Sequence, residues 1–306
     1  MLLQVEKLNV YYKNTVYLEN INFHLKKGEI FSIVGESGSG KTLTGLSLIN
    51  LLPEYFSAQG RILFDGKNIL ELNSTQIRQI RGKRISIIFQ DPTMSLNPVI
   101  KVGNQVAEMF VYHNKLSKKE ALSRTLEIFE QLKISHTINS YPHQLSGGMK
   151  QRVMIAMAMA CDPEIIIADE PTTALDVTVQ EEILDLLSYI VKNDRKSLFL
   201  ISHDINIISE YADRVMVMYA GRILEEGKVK DIYENPLHPY TKALLKCVSF
   251  ESGDMRGIPG NIPSMKSLPP GCIFNPRCEK RKEICTKNVP DYIKVSDDHY
   301  VRCLLI

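Results

Sequence analysis

The chain has 306 residues, 44% hydrophobic and 24% charged, a globular balance in a chain long enough to bury a core without disulfide staples. Lys and Arg number 37 against 35 Asp and Glu, and a net charge of +2 gives no electrostatic case for nucleic acid as the main partner. The longest apolar run, Val153 to Cys161, falls far short of the about 20 residues that a membrane-spanning helix needs, and MLLQVEKLNVYY lacks the basic start and apolar core of a signal peptide. A soluble, cytosolic chain is expected, with any membrane attachment made through a partner.

In chain order, Leu2 to Val10 alternates like a half-buried strand, and Glu29 to Val34 is a buried strand running into a glycine turn. Lys41 to Leu52 has the pattern of the helix that follows it. Arg61 to Phe64 is a strand before Asp65-Gly66, a turn dipeptide. Further strands are expected at Ile85 to Phe89, Ile165 to Ala168, Leu198 to Ser202 and Val215 to Tyr219. Between Val102 and Cys161 the pattern is helical throughout, so an inserted helical region is expected at about 101–161. Strands alternating with helices indicate α/β layering. From Asn235 the chain becomes rich in Pro and Gly (NPLHPY, IPGNIP, SLPPGC) and carries four of its six cysteines after residue 271, which suggests a small irregular C-terminal region.

Gly35 to Thr42, GESGSGKT, fits G-x-x-x-x-G-K-[ST] between a predicted strand and a predicted helix. The glycines Gly35, Gly38 and Gly40 let the backbone turn its N–H groups inward around phosphates, and the helix start faces the same anions. Lys41 supplies a point charge for the β- and γ-phosphates, and the Thr42 hydroxyl can ligate Mg²⁺. Ser37 and Ser39 complete the ATP-binding loop. A second motif is Ile165-Ile166-Ile167-Ala168-Asp169-Glu170. Two carboxylates ending a buried strand should emerge at the carboxyl edge of the sheet, where α/β folds bind ligands. Asp169 would hold Mg²⁺ through water, and Glu170 would orient the attacking water for hydrolysis, which is mostly positioning and charge stabilisation.

Leu145 to Arg152, LSGGMKQR, resembles the signature sequence of ABC ATPases, and the resemblance names a family. Ser146 can cap a helix running to about Ala160, with Gly147 and Gly148 at its start. The resemblance implies an α/β P-loop NTPase of ABC type: a RecA-like parallel sheet core, an antiparallel β subdomain, an inserted α-helical subdomain and a small C-terminal region. It implies a head-to-tail dimer in which Ser146, Gly147, Gly148 and Gln151, with the D-loop residue Asp176, act on ATP held by the other subunit. Gln90 matches the Q-loop, which touches Mg²⁺ and faces the membrane partner. His203 matches the switch histidine at the γ-phosphate, and Tyr12 the aromatic that stacks on adenine. Catalysis is thus assigned to Glu170, His203 and Gln90.

RGKRISIIFQDPTMSLNP, ADEPTTALDVTVQ and ENPLHPYTKALL narrow the resemblance to the ATP-binding subunits of oligopeptide, dipeptide and nickel importers, with Thr93-Met94 standing where Met-Thr is usual. A cassette at 1–234 and a C-terminal extension at 235–306 are expected. The implied partners are a second, non-identical ABC ATPase, two integral membrane permeases and, indirectly, an extracellular solute-binding protein, with the chain peripheral at the cytoplasmic face of the membrane. Peptide is the expected solute, nickel the alternative. An ABC ATPase acting on nucleic acid or the ribosome is disfavoured by the balanced charge, the single cassette and the short span from Thr42 to Ser146.

Cys272, Cys278, Cys285 and Cys303 are spaced C-x5-C-x6-C-x17-C, without the Cys-x-x-Cys pair of a zinc ribbon. Four thiolates can hold Zn²⁺ or an iron–sulfur cluster, or stay unligated. Likeness to the peptide-importer branch implies a [4Fe–4S] cluster. Arg277, Lys280, Arg281 and Lys282 lie among these cysteines as a solvated basic face or as counter-charges to thiolates. Cys161 and Cys247 are expected to pack in helical cores.

Overall fold

The structure, a computed structural model, describes residues 1–248 and 257–306. They divide into two compact units, 1–71 with 200–306, and 72–199. The strands in chain order are β1 (Leu3–Tyr12), β2 (Thr15–Leu25), β3 (Ile30–Val34), β4 (Phe56–Phe64), β5 (Lys67–Asn68) and β6 (Ile85–Ile88). They continue as β7 (Ile165–Asp169), β8 (Ser197–Ser202), β9 (Arg214–Tyr219), β10 (Arg222–Lys228), β11 (Ile293–Ser296) and β12 (His299–Val301). Among the described residues no helix is long and apolar enough to cross a membrane.

In the first unit, β2, β1, β4 and β5 form an antiparallel sheet in that order. β1 buries Leu3 and Val5 and then Leu8 and Val10, a one-residue change of parity. A bulge at Lys7, whose φ is 48°, absorbs it, and Gly60 of β4 lies so close that a Cβ there would stand 2.4 Å from the Lys7 carbonyl oxygen. The Asp65-Gly66 turn is present, both residues having positive φ, and β4 is longer than Arg61 to Phe64.

β3 and β9 pair in parallel, from Phe31 opposite Arg214 to Val34 opposite Val217, and both are wholly buried. The helix after β3 is Lys41–Ser47, shorter than the Lys41 to Leu52 pattern. β9 turns through Ala220-Gly221 into the antiparallel β10, which pairs with β12, and β12 pairs with β11.

The region after 235 belongs to the same unit and is not merely irregular. It contains the helix Pro239–Val248 and the β11–β12 hairpin, and shares one apolar core with the strands. Tyr240, Cys272, Ile273, Phe274 and Cys285 pack in that core with Val34, Val217, Tyr219 and Leu224. Cys247, expected to be buried, is exposed: the buried stripe of its helix, through Tyr240, Thr241, Leu244 and Leu245, gives out before it.

β10 carries two buried carboxylates. Glu226 accepts from Arg214 Nη2 at 2.5 Å and from the Tyr292 hydroxyl at 2.9 Å, while Arg214 Nη1 donates to Glu29 at 2.8 Å. Glu225 accepts the backbone N–H groups of Leu237 and His238, at 2.7 and 2.9 Å, and faces His299 Nε2 at 2.9 Å.

The second unit pairs β6 and β7 in parallel, Ile85 opposite Ile165. Between these two strands the chain is helical, with helices Val102–Met109, Lys118–Gln131 and Gly147–Met159. Ser117 and Glu120 cap the second reciprocally, and Ala121, Thr125 and Phe129 form its buried face. Cys161 is buried, as expected, and burial pushes its thiol up to about 11.

His238 is buried, and burial depresses its pKa to about 4; its Nδ1 accepts the Tyr240 N–H at 3.0 Å. The folded chain therefore holds this ring neutral between about 4 and 6.5, whereas the unfolded chain protonates it. Stability from this group is full above pH 6.5 and falls as the pH drops toward 4, by up to about 3 kcal/mol. Urea unfolding across that range should show the loss, and His238→Gln should flatten it.

Candidate nucleotide site

The first unit builds the phosphate loop. Gly35 ends β3, and a Cβ there would lie 2.1 Å from the Met218 carbonyl oxygen, so the close approach of β9 admits no side chain. Gly40, at φ 106°, forms the N-cap of the Lys41–Ser47 helix. Ser37, Gly38 and Thr42 are exposed at the loop surface. Ser39 is fully buried: its amide closes the loop on the Glu36 carbonyl at 3.2 Å, and its hydroxyl finds no hydrogen-bond partner among the described residues. Its side chain thus faces the interior rather than a ligand. Lys41 folds back onto the loop, its Nζ donating to the carbonyls of Gly35 and Glu36 at 2.8 and 3.1 Å.

Tyr12 ends β1 in a ring cluster with Tyr17 and Phe56, at centroid distances of 6.1 and 5.0 Å. Neither neighbour was legible as a site residue, because their convergence depends on the β1–β4 register that sets Tyr12 opposite Phe56. His203 is exposed directly after β8.

The second unit brings Gln90 and Glu170 together. β7 buries every residue through Asp169, which is 4% exposed, and Glu170 follows at φ 46°, a left-handed conformation unusual for a side-chain-bearing residue. Gln90 Nε2 donates to Glu170 Oε2 at 2.8 Å, and the Thr173 hydroxyl donates to the same oxygen at 3.0 Å. Thr173, a positioning partner for Glu170, was missed in sequence and lies three residues beyond it.

Ser146 caps the Gly147–Met159 helix, its hydroxyl accepting the Met149 N–H at 3.3 Å. The two glycines that follow are packing requirements as well: a Cβ at Gly148 would lie 2.6 Å from Val179 Cγ1, and one at Gly147 3.1 Å from Leu175 Cδ2. Asp176 is exposed and caps the Val177–Asp194 helix through the Val179 N–H at 3.0 Å. Gln151 departs from expectation. One turn into its helix it points inward, 1% exposed, and its Nε2 has no hydrogen-bond partner among the described residues, so it is not presented to a partner subunit here.

One expectation for the cysteine region also needs correction. Arg277 is not part of a solvated basic face: its side chain is 4% exposed and pairs with Glu36 of the phosphate loop. Among the described residues, no three His, Cys, Asp or Glu side chains converge to hold a metal ion.

A glycine-rich turn from a buried parallel strand into a helix, with an inward lysine, defines a P-loop nucleotide-binding protein. The comparisons refine that class. The family described as ABC transporter matches residues 18–173, and the oligopeptide/dipeptide transporter C-terminal region matches 224–285. The chain is 45% identical to the dipeptide transport ATP-binding protein DppD of Bacillus subtilis, over 99% of this chain and 94% of that protein. It is 41% identical to the oligopeptide transport ATP-binding protein AppD of the same organism, over 99% and 96%. A solved dimeric post-hydrolysis state of the ATP-binding cassette MJ0796, bound to ADP and Pi, is 30% identical, with a TM-score of 0.67 over 74% of this chain and 98% of that one. The chain belongs to the ATP-binding subunits of the ABC transporter family, whose members hydrolyse ATP to power transport.

Thr173→Val should free the Glu170 carboxylate without touching the phosphate loop. Steady-state ATPase assays should show kcat lower by about tenfold with KM for ATP nearly unchanged, the pattern of a lost positioning contact.

Proposed function

We propose that this chain is the ATPase motor of a peptide importer, working at the cytoplasmic face of the cell membrane. The observation that carries the reading is that the likeness to peptide-transport ATP-binding proteins runs through both the cassette and the C-terminal region. The peptide names of these relatives favour peptide over nickel as the solute.

We read 1–234 as the cassette, with its helical insertion at about 101–161, and 235–306 as the extension. Gly35 to Thr42 binds the ATP phosphates, Lys41 turning from its loop carbonyls to the β- and γ-phosphates, and Tyr12 stacks on adenine. The Thr42 hydroxyl, the Gln90 amide oxygen and, through water, Asp169 are hard oxygen donors suited to Mg²⁺. Glu170 orients the attacking water and His203 contacts the γ-phosphate. Ser146, Gly147, Gly148 and Asp176 serve the nucleotide of a second, non-identical ABC ATPase. Two permeases receive the motion near Gln90, and an extracellular solute-binding protein delivers peptide; nucleic acid has no part. Glu170→Gln in the assembled complex should keep ATP binding and lower hydrolysis by at least about 100-fold, since catalysis here is positioning of the water. Unimpaired ATPase activity would overturn the assignment.

We also propose that Cys272, Cys278, Cys285 and Cys303 hold a [4Fe–4S] cluster. Support comes from the mutual influence of the thiols. Burial first, and then the neighbouring Cys303, Cys278 and Cys285, raise the pKa of Cys272 to about 11. Cys278 and Cys303 are raised likewise, by burial first and then by other members of the set. The Cys272 N–H donates to the Cys285 carbonyl at 2.9 Å, which joins two of the segments. Four thiolates are the ligand set that a [4Fe–4S] cluster takes, one to each iron. The group would supply a covalent core for a short Pro-rich segment. Anaerobically purified chain should contain about four iron and four sulfide per protein; stoichiometric zinc without iron would refute the cluster.

A further inference from the structure

Arg277 precedes Cys278 in the C-terminal region, yet its guanidinium is spent on the phosphate loop. Nη1 and Nη2 donate to the two carboxylate oxygens of Glu36 at 2.7 and 2.9 Å, a bidentate pair. Nε donates to the Pro259 carbonyl at 2.9 Å and Nη2 also to that of Ile258 at 2.7 Å, while the Tyr219 hydroxyl lies 3.4 Å from Nη1. The guanidinium carbon stands 5.7 Å from the centre of the Tyr219 ring. Its side chain is 4% exposed, and that of Glu36 is 28%.

Glu36 is the second residue of the loop that begins at Gly35. Its N–H donates to the Tyr240 hydroxyl at 3.0 Å, and its carbonyl accepts from Lys41 Nζ and from the Ser39 N–H. Glu36 is thus held by two residues of the C-terminal region, its amide by Tyr240 and its carboxylate by Arg277, and its carbonyl in turn holds the lysine meant for phosphate. Tyr240 and Tyr219 pack on Phe274, at 5.2 and 5.3 Å, so both contacts to Glu36 rise from one aromatic cluster.

A carboxylate within a loop that receives a triphosphate opposes binding through like-charge repulsion, which a desolvated surrounding strengthens. Arg277 cancels that charge. We propose that Arg277 is a positioning residue for ATP: it neutralises Glu36 and fixes its carboxylate, so that the affinity of the loop for nucleotide depends on the C-terminal region. The inference rests on Gly35 to Thr42 binding ATP.

The test measures ATP affinity of the purified full chain with a fluorescent ATP analogue in the presence of Mg²⁺, and KM and kcat in the complex assembled with its partner ATPase and permeases. Arg277→Ala should raise Kd and KM for ATP about tenfold with kcat within about twofold, the signature of lost ground-state binding. Arg277→Lys should fall between, because an ammonium keeps the charge but not the bidentate fork. Glu36→Gln, which keeps a hydrogen-bond acceptor, should tighten ATP binding about threefold, and Glu36→Gln/Arg277→Ala should recover Kd to within about threefold of the parent, since no loop carboxylate is then left uncompensated. A purely structural staple predicts the opposite: a double variant as weak as Arg277→Ala. That outcome, or unchanged affinity in both single variants, overturns the proposal. Should Arg277→Ala fail to fold, Glu36→Gln decides alone, and unchanged affinity there refutes charge compensation. Lys41→Ala is the control. If it binds ATP like the parent, the reading of the loop fails; if it loses ATP while the other variants are unaffected, only the present inference fails.

Discussion

The pair of buried carboxylates on β10 is the constraint on which the first unit depends. Glu225 and Glu226 are 0% and 3% exposed, and an unpaired charge at such depth would be prohibitive. Each is satisfied only by groups distant in sequence: Arg214 and Tyr292 for Glu226; the Leu237 and His238 amides and His299 for Glu225. Burial pushes the Glu226 carboxyl up, and the Arg214 guanidinium pulls it back toward the ionised form. A buried ion pair contributes little net stability, but breaking one is costly, so the carboxylates act mainly on arrangement. They fix where the chain enters the Pro239–Val248 helix and where β12 lies along β10. Tyr240 and the 272–278 segment, and through them Glu36 in the phosphate loop, take their places accordingly.

The polar side chains at the end of β7 follow a related logic. β7 is apolar through Ala168, so its polar residues gather at its carboxyl end. There the backbone adopts an unfavourable conformation at Glu170, and Gln90 and Thr173 hold the carboxylate on one oxygen. Strain of this sort persists only where the surroundings over-determine it, and a buried strand with two side-chain donors at its end does so.

How much of this was legible in sequence follows from what each residue answers to. β3, β7, β8 and β9 were readable because burial on both faces leaves uninterrupted apolar runs, and the loop between β3 and its helix because glycine spacing is dictated by phosphate geometry. β10 was not, since Leu224-Glu225-Glu226 looks like a solvated turn until partners 12 to 74 positions away are in place. Arg277 was misread for the same reason: a charge beside lysines suggests a wet surface, and only the fold reveals Glu36 opposite it. Gln151 and Cys247 show the limits of motif and periodicity. A signature residue one turn into its helix points inward, and an apolar helix can outrun its core. Tyr17 and Phe56 gained their relation to Tyr12 from strand register, which local pattern does not encode.

The pairing of β12 with β10 has a consequence for how such a chain can be divided. Without the residues that form β12, β10 would become an outer strand presenting unpaired N–H and C=O groups, and Glu225 would lose His299. An open strand of that kind is a template for intermolecular pairing. A cassette cut at the sequence boundary near 235 would therefore be prone to self-association, however complete its nucleotide motifs. The C-terminal region is a selvedge woven into the sheet, and the folded unit is longer than the piece that carries the nucleotide motifs.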